Sequence, residues 1–330
     1  MPGRLLDLGG IGVVTGKDAP MLDAGSPAVA ERVETGGPEL SVVVASVNGW
    51  DVLEPTLRAL DAQPERDRME VIVVEARGGA VRQRLRAWRP AVVLIESQRQ
   101  PIPQLRYRGV CRSRGRVVAI LEDHGAVAPN WAATVLEAHR GPWGAVGGAV
   151  ENGKNGLVNW AVYFCEYTPY MNPVAEGETH DLPGNNIAYK RPHLLRHAGA
   201  LEQGRWESWI NDRLRADGVP IASTRAMVVH HIKPFRLGYF LVQRFHFARS
   251  YAGMRRGDQS PVQRLIYGFG SLALPAVLTA RVVRTVVQKR RYWGRFALAA
   301  PLVVLFLSVG AWGEMIGYLF GAGGSLEKVE

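Results

Sequence analysis

Glu122, Asp123 and His124 follow one another directly after the apolar run of residues 117–121 and just before a Gly- and Pro-containing stretch at 125–131. Adjacent carboxylates at such a point suit a hard divalent cation, which takes oxygen ligands and ordinarily arrives with phosphates. An acidic strand end facing water would read the same way from this segment alone. Whether these groups meet a cleft depends on the elements that carry them.

Four short β-branched runs precede or contain the cluster: "LSVVVAS" (40–46), "EVIVVEA" (70–76), "AVVLIES" (91–97) and "RVVAILED" (116–123). Such runs mark strands buried on both faces. Between them, "WDVLEPTLRALDAQ", "AVRQRLRAWR" and "QLRYRGVCRSR" place apolar residues at helical spacing. Strand and helix in alternation predict an α/β fold, a parallel sheet with helices on both faces whose ligands sit at the carboxyl ends of the strands. Those ends carry Asn48, Glu75 and the row 122–124. Further on, the pattern predicts a helix at "WAATVLEAH", a Gly-rich strand through "GPWGAVGGAVENG", a helix at "LVNWAVYFCEY", the segment "GNNIAYKR", a helix over 207–217 and a strand at "ASTRAMVVHH". Residues 1–38 lack sustained periodicity and are expected to form a flexible arm with a short strand at "IGVV".

Forty Lys and Arg against thirty Asp and Glu leave the 330-residue chain at +10, so its partners are expected to be anionic. Cys111 and Cys165 are the two cysteines and lie far apart, which argues against a disulfide framework or zinc ribbon and fits a reducing, cytosolic face. The start of the sequence has no continuous apolar stretch of signal-peptide kind.

Taken in order, these segments resemble an inverting family 2 glycosyltransferase with the GT-A fold, over about residues 39–255. "LSVVVASVNGWDVLEPTLRALDAQ" is similar to that family's opening strand, Asn-containing loop and first helix, and "EVIVVEA" to the strand whose last acid recognises the nucleotide base. "QLRYRGVCRSRGRVVAILEDH" resembles the Arg-containing helix and the strand that leads to a metal-binding DxD motif, with Glu122, Asp123 and His124 replacing the commoner aspartates. "LPGNNIAYKR" is similar to the acceptor-side Gly-Asn segment. "RWESWINDRLRADG" resembles the helix start that carries the catalytic acid, with Trp206 in the place of its usual acidic neighbour.

The resemblance implies a mixed, Rossmann-like sheet flanked by helices and divided into a nucleotide-sugar half (39–150) and an acceptor half (151–255). It implies Glu207 as catalytic base and a Mn2+ or Mg2+ ion held by Asp123 first, then Glu122, His124 and one of His230 and His231. Ala45, Asn48, Glu75 and Arg106 would meet the nucleotide-diphosphate sugar donor, and Gly184, Asn185, Asn186 and Trp206 the acceptor. Arg244 and Arg249, on a later helix, are candidate phosphate contacts.

Beyond residue 256 the chain turns greasy at 265–280 and 296–313. Between these stretches Arg281, Arg284, Gln288, Arg291 and Arg295 recur at three- and four-residue intervals. That spacing predicts one helix with a basic face toward anionic lipid headgroups and a membrane-associated segment over 256–330. The expected protein is thus a transferase at the cytoplasmic side of the inner membrane, acting on a lipid-linked saccharide or polysaccharide. Transfer to a polyprenyl phosphate is the competing enzyme reading, and a non-catalytic basic scaffold the third. Nucleic acid is not an expected partner, since no reader motif is visible.

Overall fold

The computed structural model describes residues 37–330, so the arm with its "IGVV" strand lies outside the described residues. The elements in chain order are β1 (Leu40–Ser46), α1 (Trp50–Asp61), β2 (Met69–Glu75), α2 (Gly79–Ala87), β3 (Val93–Glu96), α3 (Ile102–Arg112), β4 (Val117–Glu122), β5 (Gly125–Val127), α4 (Trp131–Ala138), β6 (Ala145–Asn152) and α5 (Leu157–Glu166). They continue with β7 (Gly177–Glu178), β8 (Asn186–Lys190), α6 (Arg191–His197), α7 (Gly199–Glu202), α8 (Glu207–Ala216), β9 (Ile221–His231), α9 (Leu237–Arg255), α10 (Pro261–Gly270), α11 (Leu274–Lys289) and α12 (Trp293–Phe320).

One sheet runs β3-β2-β1-β4-β8-β6-β9-β5, with β7 paired to β9. β3, β2, β1 and β4 are parallel, and β8 is antiparallel to both β4 and β6. The result is the mixed sheet flanked by helices that the resemblance implied, whereas strand-helix alternation alone predicted a parallel one. β8 enters antiparallel because it does not follow a crossover helix: α5, which leads toward it from β6, packs against α12. Every residue of β1 and β2 is buried, because alternate side chains feed two cores. Val42 and Val44 pack with Leu53, Leu57 and Leu60 of α1, while Val43 meets Ile72 and Val110 on the other face.

Two local features depart from the sequence pattern near the site. Residues 125–127, expected as loop, form β5 and pair antiparallel with the end of β9, setting Gly125 opposite His231 and Ala126 opposite His230. Next to it β6 and β9 slip register after Gly148. A Cβ on Gly148 would lie 1.8 Å from the Met227 carbonyl oxygen, so glycine alone allows the two backbones to come this close.

The base of β1 rests on a buried carboxylate. Glu70 accepts from the Ser41 hydroxyl at 2.6 Å and the Arg114 backbone N–H at 2.6 Å, and pairs with the Arg114 guanidinium at 3.1 Å. Burial raises the Glu70 carboxyl, but these donors outweigh it and hold it below the usual carboxylate range. A carboxyl lowered on folding stabilises the protein above its unfolded pKa and loses that effect as pH falls through the folded value. Glu70→Gln should therefore cost about 1.5–3 kcal/mol at neutral pH. Below pH 4.5 its stability should converge on that of the parent, as urea melts at stepped pH would show.

The C-terminal helices belong to the same packed body. α12 lies against α9 along Gly310, Gly313 and Gly317; a Cβ on Gly313 or Gly317 would sit 2.5 Å from the carbonyl oxygen of Phe245 or Arg249. Phe164 of α5 meets Phe296 at 5.2 Å and Phe240 of α9 meets Phe306 at 4.6 Å between ring centroids. Stretches Pro261–Lys289 and Trp293–Phe320, with mean hydropathies of 1.5 and 2.0, are long and apolar enough to cross a membrane. The single basic helix expected over 281–295 does not form. α11 ends at Lys289, and Arg290 and Tyr292 take left-handed backbone angles that reverse the chain. Arg291 turns inward to Glu151 at 2.6 Å, where Tyr292 also donates at 3.0 Å, because that carboxylate is buried and needs partners.

Candidate functional site

β4 delivers Glu122, Asp123 and His124 to the carboxyl rim of the sheet, where the three side chains part company. Asp123, expected first among the metal ligands, is 1 % exposed and fully engaged by the protein. Its Oδ2 accepts from the backbone N–H groups of Val47 and Asn48 at 2.8 Å each, and its Oδ1 from the Asn48 side chain at 2.8 Å. His124 Nδ1 lies 2.7 Å from the same Oδ1. Asp123 thus ties the β1–α1 loop and orients His124, and Asn48, assigned to the donor, serves that tie.

Glu122 and His124 point the other way, toward His231. Among the described residues, Glu122, His124 and His231 offer one carboxylate oxygen and two imidazole nitrogens within 4.8 Å of one another. His124 Nε2 lies 3.1 Å from Glu122 Oε2, and the rings of His124 and His231 meet edge to face at 4.7 Å. Strand alternation decides between the histidines of β9: His231 is buried and faces the group, whereas His230 is exposed on the opposite face.

The electrostatics suit a cation. Burial raises the Glu122 carboxyl, but His124 and then Arg106 more than reverse this and keep it ionised. Burial and then the neighbouring His124 push His231 down to about 3, so its lone pair is available at neutral pH. Burial lowers His124, yet Glu122 and Asp123 draw it above its ordinary value, so a cation at this group would have to displace the His124 proton. A carboxylate with two imidazoles fits Mn2+ better than Mg2+, which favours oxygen alone.

Beside this group stands Glu207, the first residue of α8. Its Oε2 accepts from Arg106 Nη1 at 2.7 Å, with both side chains 2 % exposed. Arg106 also reaches toward Glu122 at 3.8 Å and lies over the Trp206 ring at 5.7 Å. Glu207 keeps its second oxygen, Oε1, buried and without a protein partner. Gly184 leaves room here, since a Cβ on it would be 3.1 Å from Glu207 Oε2. Asn185 donates to Glu122 at 3.3 Å and leaves its own carbonyl oxygen unpartnered.

Glu122, His124, His231, Arg106, Gly184, Asn185, Trp206, Glu207 and Arg244 all line one cavity of about 400 Å³. Other residues named from the sequence lie elsewhere. Glu75 is fully buried, and its carboxylate is spent on the N–H groups of Arg77 and Gly78 and on Arg82 at 2.8 Å, so it closes the β2–α2 turn. Ala45 packs with Val74 and Leu105 in the core. Asn186 accepts from Trp131 Nε1 and donates to the carbonyls of Ala149 and Met227, each at 2.9 Å, clasping the strands around the register slip. Arg249 donates to the Gly321 carbonyl at 3.2 Å and joins α9 to the end of α12.

Sequence reasoning missed Lys233, which lines the cavity and donates to the Tyr239 hydroxyl at 2.7 Å. Burial holds its ammonium below the usual lysine value. Its signal was parity, since it stands two residues after His231.

The family profile described as "Glycosyl transferase family 2" matches residues 41–196, a stretch that is thus similar to family 2 glycosyltransferase domains. No curated protein sequence matches the chain. Among solved structures, the chain is similar to a mannosyltransferase, PcManGT from Pyrobaculum calidifontis, in complex with GDP-Man and Mn2+. The TM-score is 0.53 at 20 % identity, over 90 % of this chain and 89 % of that one. At that identity the likeness establishes the fold, which is GT-A.

Proposed function

We propose that the chain is a metal-dependent inverting family 2 glycosyltransferase that moves a sugar from a nucleotide-diphosphate donor to a hydroxyl of a lipid-linked saccharide or polysaccharide. The observation that carries the reading is the meeting in one cavity of the Glu122–His124–His231 group and Glu207 with its open oxygen. Glu122, His124 and His231 would hold Mn2+, which when bound neutralises charge on a leaving diphosphate.

Glu207 Oε1 takes the proton of the acceptor hydroxyl as that oxygen bonds to the anomeric carbon. The bond from that carbon to the diphosphate oxygen breaks on the opposite face, and the nucleoside diphosphate departs with the electron pair. Arg106 fixes Glu207 by its other oxygen, so the free one stays aimed. An open base favours a hydroxyl over a polyprenyl phosphate, whose oxygen is already ionised.

Attachment to the cytoplasmic face of the inner membrane fits the net charge of +10 and the exposed apolar side chains of α10 and α12, among them Ile266, Phe269, Leu298 and Trp312.

Thermal shifts with GDP and UDP, each with and without Mn2+, test the donor reading. GDP, the nucleotide portion of the ligand bound by the Pyrobaculum structure, is the first to try. One diphosphate should stabilise the protein with Mn2+ by more than the two do separately. At a hundredfold excess over Kd the gain is about 2.7 kcal/mol. If neither stabilises it with Mn2+ or Mg2+, the donor reading fails.

A further inference from the structure

The cavity does not stop at the polar group. From Glu122 and Glu207 it continues between α5, α9, α11 and α12, where Phe164, Phe240, Leu278, Val282 and Leu307 form its walls. These five side chains give the arm an apolar wall, while Arg244, Arg281, Thr285 and Glu314 line it at other points.

α11 contributes Leu278, Arg281, Val282 and Thr285 to the lining. Their spacing of three, one and three places them on a single helix face. Elsewhere on the C-terminal helices apolar side chains face outward: α10 exposes Val262, Leu265, Ile266 and Phe269, and α12 exposes Leu298 and Phe320. The C-terminal helices thus carry exposed apolar side chains outside and an apolar wall inside, along a cavity that also reaches Glu207.

Resting on the transferase reading above, we propose that this arm seats the hydrocarbon chain of the acceptor. The chain enters between α9, α11 and α12 and delivers the acceptor hydroxyl to Glu207. Burial of methylenes along the slot supplies binding at the end remote from the reacting atoms, and the hydroxyl is thereby held at the base. The acceptor class is then a lipid-linked saccharide rather than a free polysaccharide.

A C15 prenyl alcohol bearing a terminal diazirine, presented to the full-length protein in phosphatidylglycerol-containing vesicles, tests this. Photolabel should map to the inward face, at Leu278, Val282 or Leu307. Leu278→Trp and Val282→Trp, which fill the slot, should each cut that labelling at least tenfold while the shift with nucleoside diphosphate and Mn2+ stays at the parent value. Label confined to outward residues such as Phe269 and Leu298, or undiminished in both folded variants, would overturn the proposal. Should a tryptophan variant fail to fold, the label map of the parent protein decides alone. Absence of any nucleotide shift in the parent strikes the donor reading instead, and the label map still judges the slot.

Discussion

Glu207→Gln should abolish sugar transfer while leaving donor binding at its original strength. The substitution preserves shape, and the amide oxygen can still accept from Arg106 Nη1, which now holds Glu207 Oε2 at 2.7 Å. What is lost is the ability to accept a proton at the oxygen facing the cavity. Removing a positioned general base typically lowers kcat by about 10²- to 10⁴-fold, with KM for the donor little altered. Steady-state kinetics and calorimetric nucleotide titration separate the two quantities. A lower Tm should accompany the change, since the buried Arg106 loses its nearest counter-charge and keeps only Glu122, at 3.8 Å. Unchanged turnover in the folded variant would remove Glu207 from the chemistry.

The second large effect concerns the cation. His231→Ala and Glu122→Gln should each weaken Mn2+ binding by about 100-fold or more, since loss of a mere hydrogen-bond partner behind a ligand already costs about 10- to 100-fold. Nucleotide stabilisation should become independent of Mn2+ in both. His230→Ala is the internal control: its side chain faces solvent one residue away, and both quantities should match the parent. Asp123→Asn separates the structure-based assignment from the one based on sequence resemblance. Its carboxylate is consumed by Val47, Asn48 and His124, so this variant should lose stability while its nucleotide shift still responds to Mn2+. Abolition of metal coupling in Asp123→Asn together with its survival in His231→Ala would reverse the assignment. Manganese titration followed by electron paramagnetic resonance reads all four variants.

The sequence made some parts of this site legible and hid others. β1, β2 and β4 announce themselves because strands buried on both faces must be continuously apolar, and their ends follow from the first charged residue. The acidic row 122–124 was therefore placed on the rim. Which of its members faces the cavity was not legible, because β4 ends at Glu122 and the following turn sets the other two. The choice between His230 and His231 hung on the register of β9, which a three-residue partner, β5, helps to fix; so short a strand carries no periodicity of its own. Arg106, expected to meet the donor, gives no sign in the sequence of its pairing with Glu207, which only the approach of α8 brings against it. Glu75 reads as a strand-end acid open to a ligand, yet the N–H groups of the next turn claim it first. The reversal at 290–292 contains neither Gly nor Pro; the buried Glu151 and the carbonyls of Pro169, Met171 and Asn172, which take Lys289 and Arg291, hold the chain there, and none of these is visible in the local sequence.

The glycine row of α12 makes this helix part of the packed body and not a detachable tail. Cutting the chain before Trp293 would strip the cover from Phe164 and Phe240 and bare the backbone of α9 that those glycines admit. The shortened product would clump rather than dissolve. Polar substitution of outward residues such as Leu298 and Phe320 leaves that cover in place.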